Sequence, residues 1–399
     1  MAVIGMIRRC VIMCCLAVLY LSGCANYKEL NKTALIIGMG IDYNKGKKRY
    51  DVSFQVINPN EKSKSPSAGR ALPVVSYHAT GKTISEAARK STQHFSRQND
   101  YSHIMILIID EDLARKESLN YFLDVFERDA KIRSSIPVVI SKGAKAREVL
   151  NILPSIEDPS MSIASKVENS SKLLGENTEI KIYEVIEALS SKGAEPAISG
   201  IEIHGSKQTG LSRKNYEKVN YTHTYLNGIG MFRKGKLVGW LEGQDTKSYQ
   251  IVKNKLKTTN LSVACDRNKY TSIRVKQSNS KSKVTIKQGR VSINMDIKAT
   301  GMIDESLCNK DISSQRIIQD FEKKAAQEYR KIILGGISKA KIHQSDIFGF
   351  GEMLRRSDPD VWKQHENEWG EIFSTAEVKV NVSFKIQGTS MRTKAYPFS

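Results

Sequence analysis

Residues 103–109 read HIMILII, and every residue after the histidine is apolar. A continuous apolar run of this length is typical of a strand buried on both faces. The next segment, 111–128, places leucine and phenylalanine at helical spacing, and PVVIS at 137–141 follows as another apolar strand. The helical pattern AKAREVLNIL at 144–153 comes next. Strands therefore alternate with helices, which predicts a mixed α/β region in the first half of the chain.

The segments before this stretch fit the same region. ALIIGMGID at 34–42 has the composition of a buried strand, and RYDVSFQVI at 49–57 alternates apolar and polar residues like a half-buried strand. Asn44 and Gly46 lie between the two and predict a hairpin. Thr83 with Glu86 three residues later has the spacing of a capping box and predicts the start of a helix.

The second half has a different pattern. Residues 160–188 are mainly helical, and glycine, proline and serine are then enriched at 193–210, which indicates a change of domain. We predict a hairpin at 219–240 with its turn at 234–236. Further strands are predicted in four segments: NLSVAC (260–265), KYTSIRVKQS (269–278), KVTIKQG (283–289) and RVSINMDIKAT (290–300), separated by serine- and lysine-rich turns.

Helices then surround one more strand. A helical stripe runs from about 313 to 334, Asp358 and Pro359 predict a helix start, and TAEVKVNVSFKIQG at 375–388 alternates strictly. The expected fold class is multi-domain α+β: an N-terminal mixed α/β region followed by an antiparallel sheet with packed helices. The predicted organisation is a signal peptide at 1–23, an N-terminal domain at 24–198, a linker at 199–218 and a C-terminal domain at 219–399.

The N-terminus carries an export signal. Arg8 and Arg9 precede an apolar run at 10–20, which is too short to span a bilayer because that needs about 20 residues. LSGCA at 21–25 then matches the bacterial lipobox, in which the cysteine is acylated with diacylglycerol and palmitate and becomes the first mature residue. The sequence therefore predicts lipidation at Cys24; the alternative is an ordinary signal peptide in which this cysteine is incidental.

Two cysteines lie deep in the mature chain. Cys265 and Cys308 are either one disulfide, which an oxidising exterior permits, or two buried thiols. We predict no metal site, since the chain has no C-x-x-C and no paired histidines. His365-Glu366 begins a zinc-protease pattern, but the position of the second histidine is Trp369.

The charge balance favours a membrane surface as partner. The chain has a formal net charge of +20, and each Lys or Arg close to an anionic leaflet adds up to about 1 kcal/mol of binding. Nucleic acid is not expected, because the lysines are scattered, no recognition motif is present and the export signal removes the chain from DNA. Gly38 and Gly40 follow a strand, but Tyr43 replaces the third glycine of a dinucleotide fingerprint. We interpret the two glycines as sites of close packing or of a bulge, and predict no cofactor and no enzymatic activity.

Several segments, taken together and in this order, resemble one family, the Ger(x)C spore germination lipoproteins. The segments are LSGC (21–24), ALIIGMGID (34–42), SHIMILIIDEDLAR (102–115), LDVFERDAKIRSSIPVVISKG (123–143), GIGMFRKGKLVGWL (228–241), DIFGFGEMLRRSDPDVWKQHENEW (346–369) and EVKVNVSFKIQGT (377–389). The resemblance covers nearly all of the mature chain. Members of this family are the C subunits of nutrient germinant receptors in endospore-forming bacteria.

The resemblance implies a lipid-anchored, non-enzymatic receptor subunit. Cys24 would tether it to the outer face of the spore inner membrane, beside two polytopic membrane partners, the A and B subunits. The B subunit resembles amino-acid transporters and is the better candidate for nutrient recognition. Two segments carry residues that match the family and are candidates for a partner surface, with a structural role as the alternative: Gly228, Phe232, Gly239 and Trp240 in the first, and Phe348, Gly349, Gly351, Pro359, Trp362 and Trp369 in the second.

Two other classes of protein remain as alternatives. A solute-binding lipoprotein of a transporter should have two similar α/β lobes, and the second half lacks the βαβ alternation. A cell-wall enzyme should have a nucleophile, a metal set or a carboxylate pair, and none stands out. Asp110, Glu111 and Asp112 are more simply charges at the N-terminus of a helix.

Overall fold

The computed structural model describes residues 32–58, 72, 74–94, 96–287, 289–308 and 310–389, together with positions 5, 6 and 13. Cys24 and its lipobox lie outside these residues. Within the described part of the chain, strands and helices form two sheets with helices packed on both, which confirms the α+β class.

The first sheet has nine strands within the described residues. They are β1 Thr33–Asn44, β2 Arg49–Ile57, β3 Val74–Gly81, β4 Gln98–Asp100, β5 Ile106–Asp110, β6 Val138–Ser141, β7 Ala197–His204, β8 His223–Arg233 and β9 Lys236–Leu241. Their order is β3-β2-β1-β5-β6-β7-β8-β9, with β4 beside the start of β1. The central strands β1, β5, β6 and β7 are parallel, and antiparallel strands lie at both ends.

Helices cover both faces of this sheet. They are α1 Ile84–Lys90, α2 Glu111–Lys116, α3 Asn120–Arg128, α4 Ala146–Leu150, α5 Pro159–Leu173 and α6 Ile182–Ser190. One apolar core lies between the sheet and α1, α2, α3 and α6, and another lies under α4 and α5. Because the sheet is covered on both faces, β5 is fully buried, and it is apolar up to its last residue, Asp110. The helix predicted at 111–128 is two helices, since Glu117 is extended between α2 and α3.

The glycines of β1 are sites of close packing. A Cβ on Gly38 would overlap the Ser160 hydroxyl and the Leu150 side chain, and one on Gly40 would lie 3.3 Å from the Ala146 backbone. The register of β1 and β2 also shifts between Ile36 and Gly38. The interpretation of these glycines as packing and bulge positions is therefore confirmed.

In the described part of the chain, the second sheet has four strands, with order β10-β11-β12-β13, and a long helix packs across one face. The strands are β10 Thr259–Asp266, β11 Lys269–Lys287, β12 Arg290–Ser306 and β13 Glu377–Gly388. The remaining helices, in chain order, are α7 Lys207–Gly210, α8 Thr246–Val252, α9 Gln315–Ile342, α10 Phe350–Ser357, α11 Pro359–His365 and α12 Trp369–Ser374. The long helix α9 buries Phe321, Tyr329 and Ile333 against the sheet.

Two details of the second sheet correct the sequence expectation. Residues 269–289 do not form two strands with a turn between them, because β11 continues through 278–283 in register with β12. The sheet is also not wholly antiparallel: β13 runs parallel to β12, starting opposite Ser292. The helices α9 to α12 form the crossover connection that a parallel pair requires.

The hairpin predicted at 219–240 forms, but in the first sheet. β8 pairs with β7 and β9 extends the same sheet, so the hairpin does not belong to the second sheet. The linker predicted at 199–218 overlaps this sheet, because β7 continues to His204. Local composition indicated a boundary here, but residues Ala197–His204 form a strand. Gly200 allows the Trp240 ring to lie close to this strand, because a Cβ on Gly200 would meet the ring.

Candidate functional site

The ten residues of the two family-matching segments are mostly inside the protein. Eight of them are buried, Trp240 is partly buried, and Pro359 is exposed. Phe232 and Phe348 have no exposed surface, and Trp362 and Trp369 are 2% and 4% exposed. The eight buried residues pack in the core, so the prediction that they form a partner surface is corrected. Pro359 begins α11 after Asp358, whose side chain accepts the Val361 N–H at 3.2 Å, as predicted.

The buried carboxylate of Asp346 organises the second segment. It accepts the N–H of Gly349 and of Gly351, both at 2.8 Å, and the indole N–H of Trp369 at 2.9 Å. Gly349 has φ of +76°, which favours glycine and turns the chain into α10. Asp346 therefore holds the start of α10 and the start of α12 together.

A loop of the first half docks onto this segment. The Glu195 N–H donates to the Asp346 carbonyl at 3.0 Å, and the Glu352 N–H donates to the Gly193 carbonyl at 2.9 Å. Gly193 leaves no room for a side chain, because its Cβ would lie 2.5 Å from the Glu352 nitrogen. These backbone bonds join the two halves of the chain at the family-matching segments.

The turn of the β8–β9 hairpin belongs to the same junction. The Glu195 carboxylate accepts the Lys234 N–H at 2.8 Å, and it also accepts the Gly235 N–H. The Ser345 hydroxyl donates to the carbonyl of Phe232. The two family-matching segments, which are more than 100 residues apart, therefore meet at one site, which we call the junction: residues 193–196, 232–235, 345–352 and Trp369.

Burial shifts the pKa values of ionisable groups in and beside the junction. Burial raises the pKa of Asp346, and it raises the pKa of Glu195 to about 7, against the hydrogen bonds that lower it. Burial also lowers the pKa of Lys253, whose ammonium lies 3.5 Å from the carbonyl of Phe348. Glu195 is thus a carboxyl group that titrates near neutral pH at the contact between the two halves.

A cleft of about 750 Å³ opens beside the junction, between α6, α8 and α10. Its walls carry charges of both signs that are engaged in ion pairs. Lys255 lies 2.9 Å from Glu184, Lys192 lies 2.6 Å from Glu366, and Arg355 lies 2.7 Å from Glu352. The cleft thus combines these paired charges with apolar wall residues.

Trp240 has a different environment from the other tryptophans. Its indole N–H donates to Glu111 at 3.0 Å, and the Lys142 ammonium lies 5.1 Å from the ring centre. Lys142 is in turn paired with Glu242 and with Glu202. These contacts hold β9 against α2. Trp240 is the one tryptophan of the predicted set that is partly exposed.

Cys265 and Cys308 form a disulfide, with their Cα atoms 6.2 Å apart. Of the two alternatives from the sequence, the bridge is the one in the structure. It joins the end of β10 to the segment after β12. Asp266 lies beside the two sulfurs, but both are used in the bridge and offer no thiolate to a metal ion.

Sequence reasoning missed the residues that build the junction. Asp346 and Glu195, like Lys253 beside the junction, are single polar residues without a motif of their own, and only Asp346 lies within a family-matching segment. Its position before F-G-F-G is the signal that could have identified it, because a short acidic side chain before glycines suits a cap of backbone N–H groups.

Comparisons with known proteins agree with this architecture. The profile described as "Spore germination protein N-terminal domain" matches residues 26–203, and the one described as "Spore germination B3/GerAC like, C-terminal" matches 227–390. The chain is 27% identical to spore germination protein KC of Bacillus subtilis (strain 168), over 97% of each chain. It is 24% identical to spore germination protein B3 of the same organism, over 92% of this chain and 94% of that one.

The fold has a solved counterpart. The crystal structure of the GerBC protein superimposes with a TM-score of 0.53, covering 88% of this chain and 97% of that one, at 20% identity. In the part of the chain that the structure describes, no helix has both the length and the apolar character needed to cross a bilayer. The two profiles match in order and together span most of the sequence, so this chain belongs to the GerAC-like family of spore germination proteins.

Proposed function

We propose that this chain is the lipid-anchored C subunit of a nutrient germinant receptor. In this proposal Cys24 carries the lipid and holds the chain at the outer face of the spore inner membrane. The chain acts there by assembly with the polytopic A and B subunits, and it is not an enzyme. The observation that carries the proposal is the match of both family profiles, in order, at 26–203 and 227–390.

The position of the anchor supports this placement. Cys24 precedes the first strand, which begins at Thr33, by only a short segment. Even fully extended, that segment spans no more than about 30 Å, so an acylated Cys24 would keep the first sheet close to the bilayer. The full chain has a net charge of +20, and loss of Arg8 and Arg9 with the signal leaves +18, which favours the same position because anionic lipids attract basic surfaces.

The second half of the chain disfavours the solute-binding alternative. A binding lipoprotein closes two similar α/β lobes around its ligand, whereas residues 259–388 form one four-stranded sheet packed on a long helix. The two halves also meet through backbone hydrogen bonds at Gly193 and Glu195, which ties them together.

The proposal is tested by deleting the gene and restoring it as wild type or as Cys24→Ala. We expect the deletion to abolish the response to one set of nutrients and the wild-type gene to restore it. The Cys24→Ala protein should lack the lipid and leave the membrane fraction. Mass spectrometry that finds the variant still acylated, or the wild-type chain starting at another residue, would contradict the anchoring. Unchanged germination on every nutrient after deletion would contradict the receptor function.

A further inference from the structure

The second sheet ends in a long strand with an open edge. β13 runs for twelve residues, pairs with β12 on one side, and has no strand on its other side among the described residues. At the opposite edge of the same sheet, other elements contact the start of β10: the Thr259 hydroxyl donates to the Leu174 carbonyl at 2.5 Å, and the Lys247 ammonium donates to the Asn260 carbonyl at 2.8 Å. β13 is the longer of the two edge strands of this sheet, and its open edge can accept another strand.

The direction of the free backbone groups follows from one hydrogen bond. The Ile386 N–H points away from β12, because it donates to the Glu322 carboxylate of α9 at 3.0 Å. Successive residues of a strand alternate in direction, and the register of β12 and β13 is regular from 377 to 386. Val380, Val382 and Phe384 therefore present their N–H and C=O groups to the same open side as Ile386.

A groove follows this edge between β13 and α9. Its volume is about 520 Å³, and Ala326, Val382 and Phe384 supply apolar surface along it. A strand added in this groove could form backbone hydrogen bonds with β13 on one side and make apolar contacts with the groove floor. Recognition by strand addition uses this arrangement.

The rim of the groove is basic. Lys323 and Arg330 on α9 are exposed and line the groove, and neither has an ion-pair partner among the described residues. Lys385 adds a third positive charge and lies 3.1 Å from Glu322, the acidic residue of the rim. Glu322 is thus already engaged by Lys385 and by the Ile386 N–H, which leaves the two α9 cations available.

We propose that β13 is a docking site for an extended acidic segment of another protein, which adds as a fifth strand to the second sheet. Its backbone pairs with Val380, Val382 and Phe384, and its acidic side chains meet Lys323 and Arg330. The charge of the rim selects this occupant over a second copy of this basic chain, because β13 itself carries Lys379 and Lys385. The site is independent of the junction and of the lipid anchor.

The test places a photoreactive amino acid at Ser383, an exposed residue of β13, in the full-length chain in membranes of sporulating cells. After irradiation, mass spectrometry identifies the crosslinked peptide. The control carries the same group at Asn294, an exposed residue in the middle of the sheet on β12. We expect a crosslink from Ser383, and not from Asn294, to a peptide of another protein with net negative charge.

Charge reversal tests the rim. Lys323→Glu with Arg330→Glu should lower the crosslink yield at Ser383 by about tenfold, because two exposed ion pairs become repulsive contacts. Lys281→Glu with Lys283→Glu, two exposed lysines of β11 that lie away from β13 in the same sheet, is the matched control and should leave the yield unchanged. Crosslinking to residues 390–399 of this chain, to a second copy, to a basic or neutral peptide, or to nothing would overturn the proposal. So would equal yields from the two charge-reversal pairs.

Discussion

At the scale of single residues, the junction depends on polar side chains more than on the aromatic residues that the sequence displays. Asp346 binds two backbone N–H groups and the indole of Trp369, and Glu195 binds the hairpin turn. The sequence identified the glycines and tryptophans around them, since those types stand out in any chain. It did not identify Glu195, because the role of a lone carboxylate depends on which distant backbone groups the fold brings to it.

The first prediction concerns pH. The pKa of Glu195 in the folded protein is about 7, above its ordinary value of 4.5, so the native state keeps a proton that the unfolded chain releases. The stabilising contribution is fully present below pH 4.5 and is lost as the pH rises through 7. We expect Glu195→Gln to make the free energy of unfolding less dependent on pH between 5 and 8, by on the order of 2 kcal/mol.

Denaturant unfolding at several pH values measures this dependence. Part of the slope should remain in the variant, because Asp42 has a pKa raised to about 6 by burial and acts in the same direction. Parallel profiles for the wild type and Glu195→Gln would contradict the assignment.

The second prediction concerns Trp362. Its ring lies 5.5 Å from that of Trp369, edge to face, and it is 2% exposed. Trp362→Ala should therefore lower the free energy of unfolding by roughly 3–5 kcal/mol, because a large cavity replaces the ring. Lys363→Ala, at the next and exposed position of α11, is the control and should change little. An unchanged melting temperature for Trp362→Ala would assign this residue to a surface.

At the scale of elements, the sequence predicted most strands and helices, because each is encoded by a local pattern. The alternation at 377–386 and the apolar run of β5 were sufficient. The break after α2 and the continuity of β11 were not predicted. Both depend on partners: the Leu119 N–H donates to the Gly235 carbonyl at 2.9 Å, and β12 holds the serine-rich middle of β11 in register.

The third prediction concerns β1. Gly38→Ala should destabilise the first sheet by about 1–3 kcal/mol, since the new methyl group would overlap the Ser160 hydroxyl and the Leu150 side chain. Gly46→Ala is the control, because the nearest atom to its Cβ is the Asn44 side-chain oxygen at 3.6 Å. Thermal unfolding compares the two variants, and equal melting temperatures would contradict the close packing at Gly38.

The fourth prediction concerns the disulfide. Cys265 and Cys308 are 43 residues apart, and a bridge that closes such a loop contributes about 2–4 kcal/mol by restricting the unfolded chain. Cys308→Ser should lower the free energy of unfolding by this amount, and reduction should do the same to the wild type. Mass spectrometry after alkylation without reduction checks the pairing, and two alkylated cysteines in the native protein would contradict it.

At the scale of the whole molecule, the order of elements was predictable and their assembly was not. Composition placed a boundary near 199–218, yet β7, β8 and β9 complete the first sheet across it. The direction of β13 was also hidden, because strand alternation is the same in parallel and antiparallel pairs. Both features depend on pairing between strands that are distant in sequence, and local sequence patterns do not encode such pairing. The family resemblance predicted the family correctly, because it rested on several segments in their order along the whole chain.

The receptor function is tested most directly by purifying the full-length, lipidated chain from spore inner membrane and identifying the proteins that copurify with it by mass spectrometry. If the chain is the C subunit of a germinant receptor, we expect two polytopic partners, one of which resembles an amino-acid transporter. Recovery of an ABC-type permease, or of no membrane protein, would contradict the receptor function.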